Sequence, residues 1–564
     1  MSKVIVYQVL PRLFGNDVKE PVFNGSITQN GCGKLNAFTM DALRKIKGLG
    51  ATHVWYTGII EHATQTDYTE QGIRRDHRAM VKGKAGSPYA IKDYYDVDPD
   101  LAQNVAKRMG EFESLVDRTH KAGLKAIIDF VPNHVAREYH SDAMPKGTKN
   151  LGEDDNTSQA FSPNNNFYYI PGQTLACRFD MTGTETKPYR EDPAKATGND
   201  LFCAFPSVGD WYETVKLNYG VDYCGGRVKH FNPVPNTWRK MLDILLFWAG
   251  KNIDGFRCDM AEMVPVEFWQ WAIPQVKEQH PHIIFIGEVY NPSMYRDYIY
   301  RGGFDYLYDK VGLYDTLKSV TRMECGVQRI TNCWQQLDDI RPHMLYFLEN
   351  HDEQRLASPF FAGDAKKGIP ALAVSVLMGT NPFMLYFGQE FGEEGMDTEG
   401  FSGQDGRTTI FDYWRVKTVQ QWRNNGKYNM TGLSPESRDL YKEYKALLNL
   451  SQSEPVFSEG QFYDLMYANY DNADFDANRM FVFARSNSDE CCLAVCNFSD
   501  NETCVKVNIP QHMLDFFDIL PVRYDAVDLL TRKKQPVDFS ENNNVEIAVT
   551  PWNVTLLKFN KKQL

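Results

Sequence analysis

The sequence predicts an α/β protein: a parallel (β/α)8 TIM barrel with a loop-rich domain inserted after its third strand and a C-terminal antiparallel β-sandwich domain. Eight apolar runs of strand length alternate with stretches whose apolar residues recur at every third or fourth position, as on the buried face of a helix. Residues 135–230 lack sustained helical periodicity. After about residue 450 the pattern changes to short alternating runs separated by Asn, Asp and Ser.

The barrel prediction depends on eight runs rich in apolar and β-branched residues. They lie at residues 4–10, 53–59, 124–131, 253–259, 282–289, 304–309, 343–350 and 382–388. Helical patterns such as TMDALRKIKGLG and TWRKMLDILLFWAGKN lie between them. Strands that alternate with helices favour a parallel sheet, and eight such units close into a barrel. We therefore assign residues 1–134 and 231–450 to the barrel domain.

The longest interval between predicted strands separates the third from the fourth. It is rich in Asn, Asp, Gly and Pro, as in LGEDDNTSQAFSPNNNFYYIPG, and it predicts an inserted domain over residues 135–230. The later runs MFVFARS, CCLAVCNFS, VEIAVT and VTLLKFN alternate as antiparallel strands do. Residues 451–564 are therefore assigned to a C-terminal β domain.

Composition and charge exclude several classes of protein. A formal net charge of -12 disfavours nucleic acid, whose phosphates attract clustered Lys and Arg, and is compatible with a neutral ligand such as a sugar. No apolar run approaches the roughly 20 residues that span a bilayer, so no membrane partner is expected. The first residues show no export signal, and the 11 cysteines form no spaced framework, which indicates free thiols. We expect a cytoplasmic protein and a monomer.

Polar residues that could carry chemistry stand at the ends of the predicted strands. Enzymes built on parallel barrels collect their reacting groups at the C-terminal ends of the strands. Carboxyl groups that follow the fourth, fifth and seventh strands are therefore expected to converge. The candidates are Asp129, Asn133 and His134 after the third strand, Arg257, Asp259 and Glu262 after the fourth, Glu288 after the fifth, and Glu349, Asn350, His351 and Asp352 after the seventh.

Four of these segments, DFVPNH, GFRCDMAE, IGEVY and FLENHDEQR, resemble the four ordered sequence regions of the α-amylase superfamily, glycoside hydrolase family 13. The flanking segments YQVLPRLF, SPYAIKDYYDVDP, VKLNYG and GTNPFMLYFGQE are also similar, so that the resemblance covers roughly residues 4–390. It implies a retaining α-glucan hydrolase. Such an enzyme cleaves α-1,4-glucosidic bonds of starch-derived or maltooligosaccharide substrates through a covalent glycosyl-Asp intermediate.

The resemblance implies that Asp259 is the nucleophile and Glu288 the acid/base. Retaining glycosidases need two such carboxyl groups about 5 to 5.5 Å apart. Arg257 lies two residues before Asp259, on the same face of the strand, and its fixed positive charge is expected to keep Asp259 ionised. Glu288 has no cation beside it in the sequence, and neighbouring carboxylates are expected to keep it protonated.

The resemblance also implies a binding site for one sugar unit. By this resemblance Asp352 is implied to be the third catalytic acid and to bind the sugar hydroxyls. His134 and His351 are implied to donate hydrogen bonds to the same sugar, and Tyr89, in SPYAIKDYYDVDP, to stack on its apolar face.

Each candidate has an ordinary structural alternative. Asp259 and Asp352 could cap the helices that follow their strands, which is a common role for Asp at a strand-to-helix turn. The histidines could be structural, Glu288 a solvated acid, and Tyr89 a loop anchor. The basic stretch RRDHRAMVKGK, within residues 61–92, could shape one end of the cleft or be a solvated charged loop.

Calcium, which many members of the family bind, is not expected to be required here, and neither is another cofactor. In such members the counterpart of Asn133 shares the ion with a His four residues after the nucleophile, where this chain has Met263. Glu262 stands where family members often have Lys. Asp154 and Asp155 could supply oxygens to a hard cation, but a solvated turn is favoured for them. No metal ligand is therefore predicted.

Three functions stay open at this point. An α-glucan hydrolase is favoured, and Met260 and Ala261 differ from the Val-containing pattern associated with α-1,6 enzymes, which favours α-1,4 bonds. A 4-α-glucanotransferase would use the same intermediate with a sugar as acceptor. A non-catalytic carbohydrate-binding homologue is disfavoured because the set of acidic residues is intact.

Overall fold

A computed structural model describes residues 3–540 and 543–562, and its centre is a closed barrel of eight parallel strands. The barrel strands are Ile5–Val9, His53–Tyr56, Lys125–Phe130, Gly255–Cys258, Ile284–Gly287, Tyr306–Tyr308, Met344–Phe347 and Phe383–Tyr386. Each lies within one of the eight predicted runs, and the predicted barrel is confirmed. Residues 1, 2, 541, 542, 563 and 564, which the prediction assigned to the first and last domains, lie outside the described residues.

Consecutive barrel strands are neighbours, and the eighth strand pairs with the first. Arg257 on the fourth strand is in register with Asp129 on the third and Ile286 on the fifth. Because all the strands are parallel, the residues that follow them meet at one rim of the barrel.

Helices cover the outside of the barrel with their apolar faces. In the helix Asn236–Ala249, for example, Trp238, Met241, Leu245 and Trp248 are buried at intervals of three and four. No helix in the described ranges has the length and apolar character needed to cross a membrane. The helices flanking the barrel are Met40–Leu49, Arg108–Lys121, Asn236–Ala249, Val266–Gln279, Asp315–Thr321, Gln328–Leu337, Ile369–Leu377, Lys417–Arg423 and Pro435–Ser453, and shorter ones are Pro11–Phe14, Ile27–Asn30, Pro455–Ser458 and Gln511–Phe517.

Two excursions rise from the rim of the barrel. After the second barrel strand, Ile60–His62 pairs antiparallel with Ile91–Val97 and encloses the loop 63–90. Residues 135–230, described throughout, contain no α-helix and form short antiparallel pairs. The pairs are His134–Ala136 with Thr214–Lys216, Tyr169–Ile170 with Ala194–Lys195, and Val221–Asp222 with Val228–Lys229. The first pair ties the end of the insertion back to the rim.

The C-terminal part forms the predicted antiparallel β domain. Six strands make one sheet in the order Gln461–Asp464, Met480–Ser486, Glu490–Asn497, Val554–Asn560, Arg523–Asp528 and Lys534–Asp538, and Thr503–Asn508 pairs with Asn544–Val549 in a second. In the last of these strands Val545, Ile547 and Val549 are buried and the intervening residues exposed, as expected for a strand with one covered face. The helix Pro435–Ser453 extends past residue 450, where the sequence placed the domain boundary.

Candidate active site

The structure brings the predicted site residues together at the C-terminal ends of the barrel strands. Asp259 and Glu288 are only 5% and 3% exposed, whereas the side chain of Asp352 is 44% exposed at the edge of the site. These groups line a cavity of about 400 Å³. The predicted residues Tyr89, His134, Asp259, Glu288 and Asp352 line it, while Arg257 and His351 lie directly behind them.

Arg257 is fully buried and contacts both predicted catalytic carboxyl groups. Its Nη1 donates to Asp259 Oδ1 at 2.8 Å, and its Nη2 lies 2.9 Å from Glu288 Oε2. One guanidinium group therefore bridges the two acids, which places them close together as a retaining mechanism requires. Three aromatic rings enclose the guanidinium, with its central carbon 5.1 Å from the ring centre of Trp55, 5.4 Å from that of Tyr89 and 5.5 Å from that of Tyr308.

Glu288 has no cation beside it in the sequence, but the structure places Arg257 next to its carboxyl group. Arg257 and Glu288 are 31 positions apart in the chain, but the parallel register sets Arg257 beside Ile286, so its side chain reaches across to the end of the fifth strand. Proximity in sequence could not reveal this pair, because it forms between neighbouring strands.

Arg257 contacts Glu288 as well as Asp259, and the pKa of Asp259 is not simply lowered as the sequence led us to expect. Burial raises the pKa of Asp259, the nearby Glu288 raises it further, and Arg257 opposes both. Burial and a second carboxyl group therefore favour the protonated form of Asp259, and the charge of Arg257 favours the ionised form that a nucleophile needs.

Hydrogen bonds fix the tautomer of His351. The amide Nε2 of Gln8 lies 2.8 Å from His351 Nδ1 and can only donate, so Nδ1 is the acceptor and Nε2 carries the hydrogen. Nε2 lies 2.6 Å from the Tyr89 hydroxyl and 3.1 Å from Asp352 Oδ2. Burial lowers the pKa of His351 to about 3, so the ring is neutral at ordinary pH.

His134 is held in a similar way on the other side of the cavity. The amide Nδ2 of Asn133 lies 3.1 Å from His134 Nδ1, which leaves the hydrogen on Nε2. Burial, together with the charges of Lys216 and Lys82, lowers the pKa of His134 to about 3. Both predicted histidines are therefore neutral donors, and both line or back the same cavity.

Several residues that line the cavity were not predicted. They come from the loop 63–90, the insertion, the loop before residue 413 and the segments after the fifth and seventh strands: Lys82, Ser87, Trp211, Glu213, Thr214, Tyr290, Glu353, Ile410 and Phe411. Lys82 Nζ lies 2.9 Å from Glu213 Oε2, so the basic stretch reaches the cavity and joins the insertion. Three of these residues carried a sequence signal: Lys82 lies in the basic stretch, Tyr290 two positions after Glu288, and Glu353 directly after Asp352.

Tyr290 and the turn after Asp259 hold Glu288 in place. The Tyr290 hydroxyl donates to Glu288 Oε1 at 2.5 Å, and the amide N–H of Met260 donates to Oε2 at 2.7 Å. Glu262 accepts the amide N–H groups of Tyr290 and Asn291, both at 2.9 Å. Hydrogen bonds in both directions therefore connect the segments that follow the fourth and fifth strands. Glu262, predicted as a departure from the family pattern, has this structural role.

The capping alternative fails for both aspartates. The 3-10 helix after the fourth strand, Ala261–Met263, has Met260 at its N-cap position, and Asp259 instead binds Arg257. Asp352 lies in a turn with no helix directly after it in the described structure. The two side chains are therefore free to face the cavity.

An ammonium group fills the position where the resemblance would place calcium. Lys216 Nζ donates to Asn133 Oδ1, lies 2.7 Å from Asp200 Oδ1 and 3.3 Å from the carbonyl oxygen of Met263. These three oxygens include both positions named from the family pattern, Asn133 and Met263. A hard cation and this ammonium cannot share the space, so these residues do not fit a calcium ion.

Asp154 and Asp155 do not converge on that position. Asp154 pairs with Lys149 at 2.7 Å on the surface. Asp155 accepts the amide N–H groups of Asn166 and Phe167. Both residues therefore act within a turn, as the sequence favoured.

One other group of acids could in principle hold a metal. Ligand atoms of Glu61, Asp93 and Asp96 lie within 4.8 Å of one another, and all three residues are buried. Burial and the charge of Asp93 raise the pKa of Glu61 to about 9, so Glu61 is a neutral acid at ordinary pH. Asp93 already accepts four hydrogen bonds and Asp96 pairs with Arg108. Such saturated, partly neutral acids are poor ligands for a metal.

Comparison with known families decides the assignment. The sequence model of the α-amylase catalytic domain matches residues 8–460, most of the chain. The chain belongs to the α-amylase family. As a member it is an enzyme of the glycoside hydrolase class.

Relatives in this family are similar at low identity. α-Amylase 3 of Dictyoglomus thermophilum is 24% identical over 396 residues, which cover 66% of this chain and 68% of that protein. The α-amylase of Streptomyces lividans is 25% identical over 478 residues, which cover 76% of this chain and 47% of that protein. Neopullulanase 2 of Thermoactinomyces vulgaris is 20% identical over 531 residues, which cover 90% of this chain and 72% of that protein.

Solved structures of α-amylase family members share the fold. The α-amylase of Geobacillus thermoleovorans, solved with acarbose, aligns with a TM-score of 0.64 at 20% identity and covers 100% of this chain and 99% of its own. The α-amylase of Lactobacillus plantarum aligns with a TM-score of 0.60 at 19% identity and covers 99% of this chain and 98% of its own. These alignments extend the family architecture to the C-terminal β domain, beyond the catalytic domain.

The neutral state of the site histidines can be tested directly. The pKa values of His134 and His351 are about 3, well below the ordinary value for histidine. Both rings should therefore stay unprotonated from pH 8 down to about pH 5. In a ¹H–¹⁵N NMR titration their ring signals should not move in this range. Signals are assigned with His134→Gln and His351→Gln, and the exposed His512 serves as the control. A midpoint near pH 6.5 for either site histidine would contradict the burial argument.

Proposed function

We propose that this enzyme is a retaining α-glucan hydrolase that cleaves α-1,4-glucosidic bonds of starch-derived chains or maltooligosaccharides. The observation that carries the proposal is the pair Asp259 and Glu288, bridged by Arg257 at the wall of a cavity of about 400 Å³. The names of relatives support the substrate class: they include α-amylases, a neopullulanase and an oligo-1,6-glucosidase. The non-catalytic alternative is disfavoured because both acids are in place.

In the first step Asp259 attacks the anomeric carbon. Its Oδ1 is held by Arg257, so Oδ2 is the oxygen left to form the new bond. The glycosidic bond breaks as the carbon–Asp259 bond forms, and the leaving oxygen takes the proton from Glu288. Because Oε2 of Glu288 faces Arg257 and the Met260 amide, the proton belongs on Oε1, beside the Tyr290 hydroxyl.

In the second step Glu288 acts as a base. It takes a proton from a water molecule, whose oxygen attacks the anomeric carbon while the bond to Asp259 breaks, and the acid is restored. Two inversions leave the product in the α configuration. Asp352 and His351 lie in contact beside the cavity, and we assign them to bind sugar hydroxyls, with Tyr89 as the stacking ring.

Transfer to a sugar is the second candidate, and one feature favours it. A groove of about 500 Å³ lies beside the turn that follows Asp259, lined among others by Tyr223, Glu262, Asn291 and Tyr298. An acceptor chain could occupy this groove and replace water in the second step. Alpha-1,4-glucan:maltose-1-phosphate maltosyltransferase of Cereibacter sphaeroides is 30% identical over 116 residues, which cover 19% of this chain.

Substitution of the two acids tests the mechanism. In Asp259→Asn, kcat/KM on maltoheptaose should fall by at least about 10³-fold because no nucleophile remains. In Glu288→Gln it should fall by about 10²- to 10⁴-fold, with a smaller loss of the first step on a nitrophenyl glycoside, whose leaving group needs no proton. The exposed Asp41→Asn is the matched control. Unchanged activity in either variant, or a β-anomeric product in ¹H NMR, would refute the mechanism.

Product analysis separates hydrolysis from transfer. Wild-type enzyme incubated with maltoheptaose should release one new reducing end for each bond broken and form no chain longer than the substrate, because water is the acceptor. Chromatography gives the chain lengths, and a reducing-sugar assay gives the number of ends. Longer chains without a matching rise in reducing ends would assign the enzyme to glucan transfer.

We infer that the enzyme does not need calcium, because Lys216 already supplies the positive charge among Asn133, Asp200 and the Met263 carbonyl. Dialysis against EDTA should leave activity and the thermal midpoint unchanged. Lys216→Ala should lower the free energy of unfolding by about 1–3 kcal/mol, since buried acceptors lose their donor. The exposed Lys229→Ala serves as control. Loss of activity in EDTA that added Ca²⁺ restores would overturn the inference.

A further inference from the structure

A second groove lies between the barrel and the C-terminal domain, away from the active site. It has a volume of about 530 Å³. The barrel contributes the helix Gln328–Leu337 and Arg341, which precedes the seventh barrel strand. Arg341 therefore lies at the N-terminal ends of the strands, on the face of the barrel opposite the catalytic rim. The C-terminal domain contributes residues 462–467 and the helix Gln511–Phe517.

Aromatic rings form much of the groove wall. Tyr467 and Phe516 are 54% and 49% exposed, which is unusual for such large side chains. Trp334 and Phe462 are half-buried behind them, with ring centres 5.3 Å apart. Flat, exposed rings of this kind can stack on the C–H face of a sugar through apolar contact and dispersion.

Hydrogen bonds hold these rings in fixed positions. Asp464 Oδ2 accepts from Thr331 Oγ1 at 2.7 Å and from Trp334 Nε1 at 2.8 Å, which joins the two domains across the groove. The Tyr463 hydroxyl lies 2.6 Å from that of Tyr467 and 2.7 Å from His512 Nδ1. The site is therefore formed before any ligand arrives, and binding need not order it.

Polar groups along the groove lack partners. Arg341 stacks 5.6 Å from the ring centre of Trp334 and 5.1 Å from that of Phe462, and makes no ion pair within the described part of the chain. An adjoining hollow, which shares Arg341, Phe462 and Phe516, is lined by Asn381 and Arg485. These two residues are each 1% exposed, and Asn381 Oδ1 and Arg485 Nε have no hydrogen-bond partner among the described residues. The guanidinium N–H groups of Arg341 can donate to the hydroxyl groups of a bound ligand.

We propose that this groove is a second, non-catalytic binding site for an α-glucan chain. The charges of Arg341 and Asp464 are opposite and lie in one groove, so a neutral polyhydroxylated ligand fits it better than an anion. The choice of α-glucan among neutral sugars rests on the proposed function. On the face opposite the catalytic rim, the groove holds a polymer without occupying the cleavage site.

Removal of the exposed rings tests the proposal. In an Asp259→Asn background, which leaves starch uncut, the protein should sediment with granular starch, and maltoheptaose should change the fluorescence of Trp334. The further change Tyr467→Ala/Phe516→Ala should weaken binding to granules about tenfold, because two stacking contacts are lost. Tyr467→Phe keeps the ring and should bind like the parent. Phe23→Ala and Tyr300→Ala, at exposed positions outside the groove, are the matched controls.

Two further measurements complete the test. The thermal midpoint of each variant shows that it is folded. With Asp259 restored, hydrolysis of maltotriose should be unchanged in the double variant, because a short chain does not need a second site. Equal binding of parent and double variant to starch, or no binding by the parent, would refute the proposal that the groove binds α-glucan. Failure of the wild type to cleave any α-glucan would instead refute the proposed function.

Discussion

The buried positive charge of Arg257 is the interaction on which the active site depends. A guanidinium enclosed by aromatic rings and removed from water is stable only beside carboxylates. The barrel supplies them from neighbouring strands: Asp129 at 3.4 Å, Asp259 at 2.8 Å and Glu288 at 2.9 Å. Each of these acids in turn has Arg257 as a cationic partner in its buried position. The nucleophile and the acid are thus held in place before a substrate arrives, as electrostatic catalysis requires.

Buried charged side chains also connect the insertion to the rest of the active-site wall. Lys216 joins the insertion to the barrel through Asn133 and the carbonyl of Met263, two residues that follow different barrel strands. Lys82 and Glu213 make a second link, between the loop 63–90 and the insertion, at the cavity itself. Buried lysines at these positions use side-chain charges to align segments that are distant in the sequence. The cavity therefore has a defined shape although most of its wall consists of loops.

The two sugar sites that we propose differ in how they use charge. At the catalytic rim several acids surround one buried arginine, and two of them are the proposed nucleophile and acid/base. In the groove between the domains Arg341 and Asp464 balance each other, and exposed rings supply the contact. The first arrangement suits bond cleavage and the second suits holding a neutral chain. Both depend on parts of the chain that are distant in sequence.

The sequence by itself determined the barrel, because each strand and helix has a local apolar period. It also indicated Asp259, Glu288 and Asp352 as candidate site residues, because the motif that carries each of them spans only a few positions. Only the tertiary structure decided that Arg257 also reaches Glu288, that Lys216 takes the cation position, and that Lys82 and Glu213 meet at the cavity. These contacts join different strands and loops. They follow from strand register and loop packing, which no local pattern in the chain encodes.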